Sequence, residues 1–315
     1  MLSRVADALY WIGRYSERTY TNAHILNYQL EHMLELGRTD KQYKHQWNTV
    51  LSIFGYYDDF SARYGGCDIS QMLYYLCKDE HNLNALDSLI NKLRNNAKNS
   101  RDCIPNELFE EWNSLYLLNK ETSLDKPFDV LEANEYLANI RKYSLTSTGI
   151  IDSVMTRDDC YHFIKIGKWL ERSEKTALIL LNLMEDELNL KKDFPITTAL
   201  QFTNTFAEYI RRSGTRETNA VLNFLINEVH CSKSILYGIT KIKSTIIELE
   251  NYEIRPYAQK LIEAITDVEK LLKSDVSKMT VSERKQWIIA IHNACIHLGP
   301  IFSKTYYLTE PILVK

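Results

Sequence analysis

Apolar residues recur at three- and four-residue spacing through most of the chain, and strict alternation never persists beyond a few positions, so the pattern predicts helices rather than strands. The longest predicted helix covers 2–36 and carries Val5, Leu9, Ile12, Tyr15, Thr19 and Ala23 down one broad side. Shorter helices are expected over 43–57, 69–77, 84–100, 107–119 and 129–153. Thr156 or Asp158 can cap a second long helix that runs to 188. Five more follow, over 198–212, 217–228, 231–249, 255–272 and 282–298. Breaks are expected at Gly37, at Tyr64-Gly65-Gly66, in the polar stretches 120–128 and 191–196, and at Gly299-Pro300. The tail 306–315 reads as an irregular strap, and the whole as an all-α helical bundle.

Two of these helices carry the same motif. Residues 12–26 read IGRYSERTYTNAHIL and residues 166–180 read IGKWLERSEKTALIL. At a constant offset of 154, seven positions are identical: Ile12/Ile166, Gly13/Gly167, Glu17/Glu171, Arg18/Arg172, Ala23/Ala177, Ile25/Ile179 and Leu26/Leu180. A weaker match, Met72–Leu76 with Val221–Leu225, keeps the order at an offset of 149, as a five-residue difference in loop length would produce. Two tandem homologous units are therefore expected, 1–153 and 154–315, packed as one body about a pseudo-twofold axis. The period is far too long for a solenoid of roughly 20–50-residue repeats.

The repeated residues suggest both a contact and a chemistry. A glycine inside a helix costs about 1 kcal/mol relative to alanine, so Gly13 and Gly167 need a reason, and close approach of the two motif helices supplies one. Arg14, Glu17 and Arg18 stand three and four apart and share one side of their helix, as do Lys168, Glu171 and Arg172. In one reading Glu17 meets Arg172 and Glu171 meets Arg18 in buried pairs that hold the halves in register. In the other, the same groups line a pocket at the seam. Arg4, Arg14, Arg18, Lys168 and Arg172 would there bind a carboxylate or phosphate, and Glu17 or Glu171 would act as acid or base. The two readings are compatible, because clefts between homologous halves often hold ligands. The basic groups of Tyr209–Arg212 and Lys233-Ser234 read as a solvated face.

Composition narrows the field. Ten Gly and six Pro in 315 residues are too few for a fold built on many tight turns or Gly-rich phosphate loops. A net charge of −3 offers no global attraction for nucleic acid. No apolar stretch approaches the roughly 20 residues of a membrane span. Arg4, Asp7 and Arg14 interrupt what would be the apolar region of a signal peptide, so a cytoplasmic location is expected. The six cysteines are scattered without a CxxC, and the histidines form no ligand set, so neither a metal nor a cofactor is expected.

The opening MLSRVADALYWIGRYSERTYTNAHIL resembles the start of the alpha-E domain proteins, whose N-terminus has the form LSRxAxxLYWxGRYxERxxNxAR. The resemblance continues through 89–117 and returns in DSVMTRDDCYHFIKIGKWLERSEKT at 152–176. Departures fall at His24, where arginine is usual, and at Cys231-Ser232-Lys233-Ser234, where Pro-Arg-Ser is more typical. Arg4, Arg14, Glu17, Arg18, Glu171 and Arg172 match. The resemblance implies an all-helical bacterial or archaeal protein encoded beside circularly permuted ATP-grasp and transglutaminase-like proteins. It therefore implies an accessory or interaction role in ATP-dependent peptide synthesis or modification, with the ligase, a transglutaminase-like protein or the peptide as partner. An enzyme using Glu17 or Glu171 on an anionic or peptide substrate, and a purely structural scaffold, are the alternatives.

Overall fold

In the computed structural model, which describes residues 1–36, 40–55, 57–65, 68–122, 130–188 and 196–306, every regular element is helical. The first half contains α1 (Ser3–Leu36), α2 (Asp40–Phe54), α3 (Tyr57–Tyr64), α4 (Ile69–Cys77), α5 (Leu86–Asn99), α6 (Asn106–Glu121) and α7 (Val130–Val154). The second contains α8 (Asp159–Leu188), α9 (Thr198–Phe202), α10 (Phe206–Arg212), α11 (Thr218–Asn227), α12 (Ile235–Leu249), α13 (Pro256–Leu272) and α14 (Val281–Thr305). The all-α expectation holds. No described helix is long and apolar enough to cross a membrane.

The packing follows from where the apolar stripes lie. In the first half α1 packs on α5 and α7, with α6 closing the ring between them. In the second, α8 packs on α12 and α14, with α13 closing that ring. The two four-helix rings meet along α1 and α8, which make the most extensive helix–helix contact among the described residues. Leu9, Ile12 and Leu26 of α1 and Ile164, Ile166 and Leu180 of α8 are buried on the faces these neighbours cover.

Several boundaries differ from the sequence pattern for identifiable reasons. The helix expected over 198–212 splits into α9 and α10, because Asn204 adopts a left-handed φ of 58°, a conformation its short polar side chain tolerates. The break expected at Gly299-Pro300 does not occur, and α14 continues to Thr305. Pro300 removes one backbone donor, but the turn after it is pinned by Phe302, whose ring stacks 5.1 Å from Tyr10 and meets Phe163 edge-on at 5.7 Å. Of the two caps proposed for α8, Asp158 is the one that acts, accepting from the Tyr161 N–H at 3.2 Å. The helix expected from 231 starts four residues later, capped by Ser234, whose Oγ accepts from Tyr237 N. Lys233 consequently sits in a turn aimed at the seam instead of on a solvated face. The stop at Gly37, most of the loops at 120–128 and 191–196, and the strap beyond 306 lie outside the described residues.

Candidate functional site

The site is built where α1 and α8 cross. A β-carbon on Gly13 would stand 2.8 Å from Lys168 N and closer still to the Ile164 carbonyl oxygen. One on Gly167 would stand 3.2 Å from Arg14 N and closer still to the Tyr10 carbonyl oxygen. Each glycine thus admits the other helix's backbone. That approach brings two Glu-Arg pairs within reach of one another.

One end of the crossing is closed. Arg18 donates through Nε and Nη2 to both oxygens of Glu171 at 2.6 and 2.9 Å, and through Nη1 to Asn84 Oδ1 at 2.8 Å. Arg14 lies 2.8 Å from Glu171 Oε2 and donates to both oxygens of Glu174 at 2.9 and 2.7 Å. Two guanidinium groups therefore meet two carboxylates with little water around them. Burial alone would raise the Glu171 carboxyl, but the charges of Arg18 and Arg14 bring it from its ordinary 4.5 down to about 2. Glu174, which shares Arg14 with Glu171, is raised by burial and by its negative neighbour.

The other end repeats the pair and then opens. Arg172 donates through Nε and Nη2 to both oxygens of Glu17 at 2.6 and 2.7 Å, and through Nη1 to the Ser232 carbonyl at 3.1 Å. Lys233 adds a third bond to Glu17 Oε1 at 2.8 Å. Burial opposes ionisation of Glu17, yet Arg172 and Lys233 hold its carboxyl well below the usual carboxylate range. Beyond this cluster lies a cleft of about 770 Å³ between α1, α7, α8 and α12, a size typical of small-molecule and peptide sites. Lys165, Lys168, Arg172, Lys233 and Lys241 bring cations to it, and Trp169 forms a ring surface with Arg172, Lys165 and Lys168 at 4.6, 5.0 and 5.9 Å from its centroid.

Three of the four carboxylates bordering the cleft are engaged by cations of the chain, and the fourth, Glu248, is exposed with the His162 ring 3.8 Å away. Glu17 is held as described, Asp152 accepts from Lys165 at 2.7 Å, and Glu208 pairs with Arg211 and Arg212 of its own helix. Lys168 is different. Its ammonium is almost fully buried, donates to Thr148 Oγ1 at 3.2 Å, and among the described residues pairs with no carboxylate. Burial, reinforced by the nearby charge of Arg172, lowers it from 10.5 to about 7.

The candidates read from sequence divide accordingly. Glu17, Arg172 and Lys168 border the cleft. Arg14, Arg18 and Glu171 belong to the closed end, where the two guanidinium groups are neutralised by carboxylates of the chain itself and so are not available as an anion site. Arg4 is exposed in the first turn of α1, about 15 Å along the helix from Arg14, and borders no part of the cleft. Lys233 departs from its expected solvated position and is partly buried against Glu17, whereas Arg211 and Arg212 are surface groups as expected. Sequence reasoning missed Glu174, Lys165 and Lys241. The signal for Glu174 was available, because it stands three residues after Glu171 on the same helical side.

The acid limb of stability should report these pairs. The Glu171 carboxyl is depressed in the fold, so the unfolded chain binds more protons in acid. The stabilisation is complete above the ordinary value of 4.5 and is lost as pH falls through about 2, amounting to about 3 kcal/mol. Urea midpoints measured between neutral pH and pH 2 should fall steeply over that window. Glu171→Gln should flatten the fall.

A family profile described as a predicted alpha-helical domain with a conserved ER motif matches residues 1–307. The chain belongs to this Alpha-E family. In this Alpha-E protein the repeated motif places Glu-Arg at Glu17-Arg18 and Glu171-Arg172, the two pairs that face each other across the crossing, while a further Glu-Arg at Glu283-Arg284 lies in the first turn of α14. No curated protein and no solved structure matches the chain.

Proposed function

We propose that this Alpha-E protein is a cytoplasmic accessory or interaction component of an ATP-grasp-dependent peptide synthesis or modification system. It binds the ligase or the ligase's peptide substrate through the cleft beside α1 and α8, with a transglutaminase-like protein as a further candidate partner. The two rings descend, in this reading, from one duplicated unit spanning 1–153 and 154–315. Reciprocal pairing of Glu17 with Arg172 and of Glu171 with Arg18 supports that descent, because a twofold arrangement of one motif generates both contacts.

The observation that carries the functional reading is the division of labour between charges. Both candidate catalytic carboxylates are held in two-pronged arginine pairs and are strongly ionised, which leaves them poor bases. The cleft meanwhile keeps cations and aromatic surface for a partner. Recognition therefore fits the geometry better than catalysis by Glu17 or Glu171. The test is titration of the purified protein with a circularly permuted ATP-grasp ligase, the partner class this reading names. Complex formation and an altered rate of ligation are expected. A ligase that neither binds nor changes rate would end this reading.

A further inference from the structure

The two ends of the crossing are built from the same motif, and they differ at one position that explains why one is closed and the other open. At the closed end the first basic residue of the motif, Arg14, is neutralised by Glu174. At the open end the equivalent basic residue is Lys168, at the offset of 154. The residue equivalent to Glu174 is Tyr20 at the same offset, which carries no charge. Tyr20 borders the cleft, and its hydroxyl accepts from Asn204 at 3.1 Å. The carboxylate that completes one end is missing from the other.

We propose that the cleft binds a carboxylate group supplied by a ligand, which pairs with Lys168 beside Trp169 and occupies the role that Glu174 plays at the closed end. This deepens the proposed function and rests on it, since a carboxylate is the group an ATP-grasp ligase activates and a peptide carries. Three features of the chain support it. Lys168 is a buried ammonium whose only described hydrogen-bond acceptor is a neutral hydroxyl, and burying such a charge without an anion is costly. Lys241 borders the same cleft and among the described residues makes no ion pair, so a second cation is available. Of the acids bordering the cleft, Glu17 and Asp152 are taken by Arg172, Lys233 and Lys165, Glu208 by Arg211 and Arg212, and Glu248 is exposed and faces His162 rather than Lys168.

Binding should also take up a proton. Lys168 faces Lys165 and Arg172 on its own helix, Glu17 on α1, and Asp152 with Thr148 on α7, while Lys241 and Glu248 border the cleft from α12. Burial and the Arg172 charge leave its ammonium half-ionised near neutral pH. An arriving carboxylate favours the charged form, so affinity should fall as pH rises from about 6 to about 8.

The experiment is calorimetric titration of the full chain with glutarate, N-acetyl-triglutamate and inorganic phosphate. Both carboxylate probes should bind. Lys168→Met, which removes a buried charge and leaves a side chain of similar length, should weaken both about tenfold or more. Tyr20→Glu installs the missing carboxylate within the chain and should weaken them similarly. If Tyr20→Glu fails to fold, Lys168→Met decides alone. Tighter binding of triglutamate identifies a peptide as the source of the carboxylate, and equal binding identifies a free acid. The inference is overturned if neither carboxylate binds, if Lys168→Met binds both as well as the native chain, or if phosphate is preferred. Its failure is distinguishable from that of the parent reading. Lys168-dependent glutarate binding without ligase binding removes the partner and keeps the site, whereas ligase binding without carboxylate binding does the reverse.

Discussion

Gly13→Ala is expected to destabilise the protein by about 3 kcal/mol or more, an unusually large effect for one methyl group. Alanine is the better helix former by about 1 kcal/mol, so propensity alone would predict a gain. The loss comes from the atoms the methyl would meet, which are the Ile164 carbonyl and Lys168 amide of α8. They are backbone, and no side-chain rotation relieves the clash. The helices must separate, and the Glu-Arg pairs that depend on their approach must lengthen with them. Gly167→Ala should behave alike, because its methyl would meet the Tyr10 carbonyl of α1. Gly149 provides the control. It lies mid-helix in α7, is exposed and has nothing within 4 Å of an added β-carbon, so Gly149→Ala should stabilise by about 0.5–1 kcal/mol. Urea unfolding monitored by circular dichroism measures all three. A mild Gly13→Ala would mean the helices can part without cost.

Glu171→Leu should be equally severe, costing about 3–5 kcal/mol. The substitution removes the carboxylate that Arg18 grips with two nitrogens and that Arg14 also touches. Arg14 would keep Glu174, but Arg18 would be left with Asn84 and an uncompensated charge at a largely desolvated place. The loss reflects that stranded charge more than the net strength of the pair. Arg18→Met combined with Glu171→Leu should therefore recover most of the stability. If the double variant is as unstable as Glu171→Leu alone, the pair contributes packing and not charge compensation. The same measurements bear on catalysis. Glu171→Gln or Glu17→Gln that folds normally but loses an activity would revive the enzyme reading.

Much of this arrangement was legible in the sequence because it rests on repetition and short-range periodicity. The interior glycines at 13 and 167 announce a close crossing, and the shared offset by itself pairs Glu17 with Arg172 and Glu171 with Arg18. The charges on Arg14 and Lys168 were equally visible, but their fates were not. Whether a basic group binds a ligand or is neutralised by its own chain depends on residues brought in from other elements. Glu174 silences Arg14, whereas Thr148 of α7 offers Lys168 only a hydroxyl. Lys233 was misplaced for a local reason. Its apolar neighbours fit a helix starting at 231, and the Ser234 cap that delays that start is a hydrogen bond instead of a periodicity. The unbroken passage of α14 through Pro300 was hidden for the opposite reason, since aromatic contacts from Tyr10 and Phe163 outweigh a strong local signal.

The distance along the chain between partners at the crossing has a consequence for how the protein is made. Arg14, Glu17 and Arg18 leave the ribosome some 155 residues before Glu171, Arg172 and Glu174, a wait of roughly 8–30 s at ordinary rates of synthesis. During that interval the face of α1 destined for α8 has no partner. An apolar face left open so long would invite the nascent chain to associate with its neighbours. This one carries two guanidinium groups, a carboxylate and a bare stretch of backbone at Gly13, all of which water solvates well. A crossing sealed by charges is costly to dry at the end of synthesis, but it should give the unfinished chain less reason to associate until its second half arrives.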